Sequence, residues 1–139
     1  MPNKDIKELI RRSRMEIEGF LLNAIIPFWL KNGCDREHGG YLTCFGAEGA
    51  PSGDTDKYIV TQTRMIWGMS ALHRAYPHID GLREAARQGV DFFLTYFWDG
   101  EYGGWRWRVG RDGSPIDSGK LVYGQTFAIY ALSEYTAAT

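Results

Sequence analysis

The stretch KYIVTQTRMIWGMSALHRAY, residues 57–76, decides the fold of this chain. Its pattern predicts a helix of several turns that is apolar on nearly every side, with Arg64 as the only formal charge between Tyr58 and Leu72. A helix of this kind is either buried by its neighbours or crosses a membrane. A membrane span needs about 20 predominantly apolar residues, and polar side chains interrupt this stretch too often, namely Gln62, Thr63 and Ser70. We therefore expect the helix to be buried inside a soluble fold.

Arg64 is the residue of this helix that most needs an explanation. If the helix is buried on all sides, its guanidinium is buried too. A buried guanidinium costs several kcal/mol unless it is paired and hydrogen-bonded. The pattern therefore predicts a partner for Arg64: a carboxylate, a set of carbonyl groups or a ligand.

The chain repeats itself at an interval of about 64 residues. The segment DREHGGY, residues 35–41, matches DGEYGGW, residues 99–105. Lys57 matches Lys120 and Gln62 matches Gln125, and a second apolar stretch without any charge follows at residues 121–133. We interpret each repeat as a Gly-Gly hairpin followed by a buried helix, and such self-similarity indicates a stacked repeat architecture.

Two amphipathic helices complete the predicted pattern. The first runs from about Asn3, a candidate N-cap, to Trp29, with Pro27 expected to kink it or to end it near Ile26. The second follows Asp80, a candidate cap, and is rich in regularly spaced apolar residues. Short strands are expected at residues 41–45 and 105–109.

The fold class that follows is all-α. Outer amphipathic helices alternate with inner apolar helices, and short β-hairpins join them, as in a two-layer helical solenoid or toroid. The chain has about two such units, at about 1–76 and 77–139, within a single domain of 1–139. At least three units are normally needed for stability, so we expect a fragment, or open ends covered by another chain.

Composition narrows the function classes. The formal net charge of −1 argues against a nucleic-acid partner, and no membrane segment is expected. The aromatic content of 14% suits either a packed core or a site for sugars. The two cysteines and the absence of an apolar leader at the start suggest a reducing, cytoplasmic location.

At this point the residues resemble a known family, the N-acylglucosamine 2-epimerases, which include cellobiose 2-epimerases and aldose–ketose isomerases acting on mannose-type sugars. The resemblance covers essentially the whole chain. It rests on Phe28-Trp29, Asp35 with Gly39-Gly40-Tyr41, Lys57 with Gln62 and Arg64, Asp99 with Gly103-Gly104-Trp105, and Lys120 with Tyr123 and Phe127. The resemblance implies an (α/α)6 toroid with its active site in the central lumen. Six units at the observed spacing need about 384 residues, so this chain would be the N-terminal third.

The resemblance also implies a chemistry. The family moves a proton at C2 of an open-chain sugar through an enediolate, without a cofactor or a metal. Arg64 matches the family's lumen arginine, which would stabilise the enediolate charge, and Tyr123 matches a lumen tyrosine that contacts the sugar. The family's acid/base histidines would lie beyond Thr139, so no catalytic residue is assigned in this chain, and the chain alone is expected to be inactive.

Other side chains have two explanations each. Trp105 and Trp107 are further candidates for stacking on a sugar ring, although cross-strand packing explains them equally well. Lys57 and Lys120 stand at the start of inner helices and suggest structural pairs with Asp54 or Asp117. The soft ligands Cys34, His38 and Cys44 do not match a zinc spacing, so no metal is predicted and both cysteines are expected to be free thiols.

Two alternative functions stay open. The acidic pairs Asp35/Glu37 and Asp99/Glu101 resemble the carboxylates of an (α/α)6 carbohydrate hydrolase, although their presence in both repeats favours a structural role in the turns. The chain could instead be a truncated, non-catalytic module that binds sugar or another protein. That alternative predicts self-association through the open toroid ends, because exposed apolar patches promote it.

Overall fold

The computed structural model describes residues 4–139, and a long helical segment opens it. Helix α1 covers Lys4–Phe20, a π-helical turn covers Leu21–Ile25, the short α2 covers Ile26–Phe28, and a second π-helical turn covers Trp29–Gly33. The predicted N-cap, Asn3, lies outside the described residues. Of the two outcomes predicted for Pro27, a kink or a helix end near Ile26, the helix end is not observed, because the helical segment continues past the proline. A proline lacks the N–H group and crowds the preceding turn, and the wider π-helical turns on both sides absorb this irregularity.

The two apolar stretches form the inner helices, α3 (Ile59–Ala75) and α5 (Val122–Ala138), which pack side by side. Helix α4 (Leu82–Phe92) packs against α3 and continues into a third π-helical turn, Phe93–Phe97. The predicted cap Asp80 is not a cap: α4 begins after Gly81, whose backbone adopts a left-handed conformation, and no side chain caps it.

Three very short strands tie the two units together. They are β1 (Lys57–Tyr58), β2 (Arg108–Val109) and β3 (Pro115–Asp117), paired antiparallel in the order β1-β2-β3. The strand predicted at residues 41–45 is reduced to isolated bridges at its two ends, Cys34 with Tyr41 and Phe45 with Pro51. Because β1 directly precedes α3, the sheet anchors the start of that inner helix on the hairpin of the second unit.

The core lies where α3 meets α4 and α5. Its fully buried members include Tyr41, Ile59, Ile66, Phe93 and Phe97. Helix α1 contributes little, because its large apolar side chains from Ile6 to Phe20 are exposed and packing against the core begins at Leu21. The outer helix of the first unit is therefore covered over its second half only.

The internal repeat is reproduced hydrogen bond by hydrogen bond. In the first unit the amide of Asp35 donates to the carbonyl of Gly40 at 3.0 Å, and in the second the amide of Asp99 donates to that of Gly104 at 2.9 Å. Gly40 and Gly104 have φ values of 65° and 75°, a region that glycine enters without strain. The repeated Gly-Gly pair is thus required by the turn itself.

The repeated glutamines hold each turn on its inner helix. Gln62 accepts from the amide of Tyr41 at 2.9 Å and donates to the carbonyl of the same residue at 2.8 Å. Gln125 makes the same two bonds with Trp105, each at 2.8 Å. The side chain of an inner helix therefore replaces the missing partner strand at the residue that follows each Gly-Gly pair.

Candidate active site

A row of aromatic side chains with one guanidinium lies along the paired inner helices, and its members are exposed or half-buried. We call it the aromatic face and define it as Arg64, Trp67, Tyr123, Phe127 and Tyr130. On α5 its members are three or four residues apart, the spacing that places side chains on one side of a helix. Thr126, Phe127 and Tyr130 line a shallow cavity of about 310 Å³ beside them.

Two pairs across α3 and α5 build this face, and each joins positions related by the repeat. The guanidinium carbon of Arg64 lies 5.1 Å from the ring centre of Phe127, close enough for a cation–π interaction. Trp67 stacks on Tyr130 with ring centres 5.3 Å apart and planes at 11°. The roles of Trp67 and Tyr130 were missed by sequence reasoning, although the interval of 63 residues was the signal that pairs them.

The prediction that Arg64 is buried is wrong. Its side chain is exposed, and within the described part of the chain it makes no hydrogen bond or ion pair. The reason is that α3 is covered by α4 and α5 but not on the side that carries Arg64. The cation is therefore solvated and available to a ligand, and it needs no carboxylate to offset the cost of burial.

Tyr123 belongs to the aromatic face, and Trp105 and Trp107 do not. Tyr123 is 56% exposed and meets the ring of Phe127 edge-on at 4.9 Å. Trp105 instead stacks on Phe93 at 4.5 Å and packs with Trp107 against the hydrophobic core. This geometry agrees with the packing explanation for both tryptophans, and their role in sugar binding stays a prediction.

The carboxylate of Asp35 has a structural role in its turn. It accepts from Nζ of Lys57 at 3.0 Å and from two nitrogens of Arg111 at 2.9 and 3.0 Å, and it is buried. Burial alone would raise the pKa of Asp35, but the hydrogen bonds from Arg111 and Lys57 outweigh it and hold the pKa well below its usual range. The group stays ionised and cannot act as a general acid near neutral pH.

Asp99 has the equivalent role in the second unit. It accepts from Nζ of Lys120 at 2.6 Å and from the amides of Glu101 and Tyr102 at 3.1 and 3.3 Å. The bond from Lys120, helped by the backbone amide of Tyr102, lowers the pKa of Asp99 to about 2. The predicted pairing of the two lysines with Asp54 or Asp117 is wrong, because Asp35 and Asp99 take that role from the preceding turns.

No histidine or cysteine lines the cavity beside the aromatic face, as far as the described residues go. His38 is exposed near Glu37, and the ring of His78 meets that of Tyr76 edge-on. Cys34 and Cys44 are free thiols, as predicted. Among residues 4–139, no three His, Cys, Asp or Glu side chains are grouped so as to hold a metal ion. Within the same range, no helix is long and apolar enough to cross a membrane.

The inner helices pack side by side, and each follows an outer helix and a Gly-Gly turn. This arrangement corresponds to two units of an (α/α)6 toroid, which gives the class of protein. A solved cellobiose 2-epimerase from Spirochaeta thermophila superposes with a TM-score of 0.90 at 30% identity, covering 99% of this chain and 33% of that one. The fold class expected from the resemblance is thereby confirmed.

Sequence comparisons give the family. The family model described as N-acylglucosamine 2-epimerase (GlcNAc 2-epimerase) matches residues 40–139. The cellobiose 2-epimerase of Dictyoglomus turgidum is 37% identical over 128 residues, covering 91% of this chain and 32% of that protein. The human N-acylglucosamine 2-epimerase is 31% identical, covering 85% of this chain and 28% of that protein. The chain belongs to the N-acylglucosamine 2-epimerase family, and it spans about a third of the length of these relatives.

Proposed function

We propose that this chain supplies the substrate-binding part of a carbohydrate 2-epimerase or aldose–ketose isomerase. In this proposal Arg64 and Tyr123 contact the sugar, and the aromatic face forms one wall of the site. The same proposal includes three further points. The unit boundaries lie at about 1–76 and 77–139, the location is cytoplasmic, and this chain alone is inactive.

One observation carries it: an exposed guanidinium held over an aromatic ring without any structural ion pair. Other cations near the hairpins form ion pairs with aspartates of the turns: Lys57 and Arg111 pair with Asp35, and Lys120 pairs with Asp99. Arg64 takes part in no ion pair of this kind. Its side chain combines five N–H donors with a permanent charge, and the neighbouring rings offer apolar surface for the face of a sugar.

The proposed reaction needs no cofactor. A base takes the C2 proton next to the C1 carbonyl of the open-chain sugar, and an acid returns a proton to C2 from the other face or to C1. The negative charge of the enediolate develops on oxygen, where a preorganised guanidinium stabilises it most. Arg64 would supply that stabilisation and the hydroxyl of Tyr123 would orient the sugar. No acid or base in this chain is assigned to the proton transfers.

The hydrolase alternative finds less support. Glycoside hydrolysis needs one carboxyl group that carries a proton and one that is ionised, with a sugar between them. Asp35 is held ionised by Lys57 and Arg111 and Asp99 by Lys120, and both carboxylates are buried within their turns. We therefore assign these carboxylates to the stability of the hairpins.

The first test measures binding by saturation-transfer NMR with the purified chain and cellobiose, an N-acylglucosamine or mannose. We expect transfer to the sugar protons in the wild type and its loss in Arg64→Met, which keeps the length of the side chain but removes the charge. Arg83→Met is the matched control, since Arg83 is an exposed arginine of α4. Equal transfer in all three proteins would contradict a role for Arg64 in binding.

A second readout separates binding from chemistry. In D2O the C2 proton signal of the sugar should persist in the presence of the chain, because the acid and base are not among its residues. Exchange of that proton by the wild-type chain would mean that proton transfer is catalysed here, and the proposed division of labour would then be wrong.

A further inference from the structure

Small residues let helix α5 approach helix α3 closely. Gly124, Ala128 and Ala131 recur at the spacing of one helix side, and all three are buried. A methyl group added at Gly124 would lie only 2.9 Å from a side-chain carbon of Ile59, so no larger residue fits there without a shift of its neighbour. Side chains of α5 that flank these small residues are therefore close enough to contact side chains of α3.

Phe127 is the member of the aromatic face on which the other contacts converge. Its ring meets those of Tyr123 and Tyr130 edge-on, at 4.9 Å and 72° and at 6.5 Å and 88°. The guanidinium carbon of Arg64 lies 5.1 Å from the centre of the same ring. Phe127 is half-buried, whereas these three neighbours are exposed. Its ring is thus held from both sides along α5 and faces the cation across the helix pair.

The kind of partner matters for what Arg64 can do. Arg111 shows the alternative, since two of its nitrogens donate to the oxygens of Asp35 at 2.9 and 3.0 Å. A carboxylate of that kind occupies N–H donors of the guanidinium and offsets its charge. An aromatic ring attracts the cation as well, but it takes up none of the five N–H donors in a charge-assisted bond and carries no opposite charge.

We propose that Phe127 is a positioning residue for Arg64: its uncharged ring orders the guanidinium and leaves the charge and the donors to the sugar. This inference rests on the proposed function, because it explains how the binding group of that site is held. Preorganisation is useful there, since a donor that is already in place need not be ordered when the charge develops or when the ligand binds.

The repeat agrees with this role. Phe127 follows Arg64 by 63 residues, the interval that also separates Lys57 from Lys120. Equivalent positions of neighbouring inner helices therefore face each other at this point, with a cation on one and a ring on the other. A second arginine there would repel the first, and an acidic residue would neutralise it.

The first experiment observes Arg64 without any sugar. NMR spectra of the chain labelled with 15N and 13C in arginine give the signals of its Nε–H group and its δ protons, and Arg64→Met identifies them. We expect the ring current of Phe127 to move the δ protons upfield from those of Arg83, an exposed arginine of α4. The Nε–H bond should be ordered on the nanosecond timescale. The same δ-proton shift for Arg64 and Arg83 in the wild type would overturn the proposal.

Variants of Phe127 separate positioning from packing. Phe127→Leu should abolish the upfield shift and lower the order of the Nε–H bond, while Phe127→Tyr, which restores the ring, should keep both. Phe20→Leu changes an exposed phenylalanine of α1 and is the matched control. Circular dichroism establishes that each variant is folded. Signals of Arg64 that are the same in Phe127→Leu and in the wild type would contradict the role of the ring.

The requirement for an uncharged partner is tested with Phe127→Glu. Its carboxylate can pair with Arg64 and keep the side chain ordered, but it occupies donors and offsets the charge. Saturation-transfer titrations with the sugar that binds the wild type measure the affinities. We expect Phe127→Leu to bind about two- to fivefold more weakly, which corresponds to one exposed cation–π contact, and Phe127→Glu to bind more weakly still. Wild-type affinity in Phe127→Glu would overturn the requirement.

The outcomes distinguish this inference from the proposed function. Binding that is unchanged in Arg64→Met would contradict the proposed function, and the inference would fall with it. Binding that depends on Arg64 but is unchanged in Phe127→Leu would leave the proposed function standing and overturn the positioning role alone.

Discussion

At the scale of single residues, the molecule contains the same ion pair in two environments. Lys57–Asp35 and Lys120–Asp99 start from equivalent turns and join residues 22 and 21 positions apart along the chain. The first is buried and completed by Arg111, and the second is still partly open to water. Because breaking a buried pair leaves an uncompensated charge in the interior, equivalent substitutions should have unequal costs.

The first prediction compares those substitutions directly. Lys57→Met should lower the free energy of unfolding by about 3 kcal/mol, since it removes one partner of a buried pair. Lys120→Met should cost less, because the side chain of Lys120 is 29% exposed and solvent weakens its ion pair with the buried Asp99. Urea unfolding followed by circular dichroism measures both. Equal losses would contradict the view that coverage by the second unit decides the energetics.

The second prediction concerns acid. Both carboxylates have a lower pKa in the folded protein than in the unfolded chain, where an aspartate titrates near about 3.9, so the unfolded state binds protons first as the pH falls. Their stabilisation is fully present above about pH 4 and is lost as the pH falls towards the pKa of Asp99, about 2. The urea midpoint should fall between pH 5 and pH 2.5, and less steeply in Asp99→Asn. A constant midpoint would contradict the two ion pairs.

Residue roles were predictable from the sequence only where the contact is local or repeated. The Gly-Gly turns and the free thiols follow from the segments that contain them. The exposure of Arg64 did not, because an apolar pattern around a helix does not show which side its neighbours leave open. The partners of Lys57 were missed for a related reason: Asp35 and Arg111 come from distant parts of the chain, and only the fold brings them together.

At the scale of secondary-structure elements, the interval of the repeat predicts which helices and hairpins form. Local signals such as caps and prolines predict the helix boundaries less well. The matching residues of the two repeats predicted the inner helices α3 and α5 and the hairpins that precede them. By local rules Asp80 was predicted to be a cap, and it is not one, while Pro27 was predicted to kink or end the helix, which continues past it. Tertiary packing and the π-helical turns decide those boundaries, and neither has a local sequence signal of comparable strength.

The third prediction belongs to the inner helices. Ile66→Ala should lower the free energy of unfolding by about 2–5 kcal/mol, since it empties space in the core between α3 and its neighbours. Ile129→Ala, at the equivalent position of α5, should change it by no more than about 0.5 kcal/mol, because that side chain is exposed. Thermal unfolding of the two variants and of the wild type measures both changes in the free energy of unfolding. A large loss in Ile129→Ala would mean that this side of α5 is already covered in solution.

At the scale of the whole molecule, each unit is completed by the next one. The second unit supplies Arg111, Phe92 and the strand β2 to the first, and it covers one side of α3. The aromatic face is likewise shared, because Arg64 comes from one unit and Phe127 from the other. If the proposed sugar site is built on this face, it is distributed over neighbouring units, and activity should depend on joining these units to others of the same family.

The fourth prediction tests that dependence. Residues 1–139 are joined to the part of the Dictyoglomus turgidum cellobiose 2-epimerase that follows the matched region. We expect the chimera to epimerise cellobiose, and Arg64→Met to lower its kcat/KM by about 100-fold, the loss typical of removing a group that stabilises developing charge. Arg83→Met should leave the rate unchanged. Proton NMR of the product mixture measures the activity, and circular dichroism establishes folding. A folded but inactive chimera would contradict the interchangeability of these units, and an active one that tolerates Arg64→Met would contradict the role of the guanidinium.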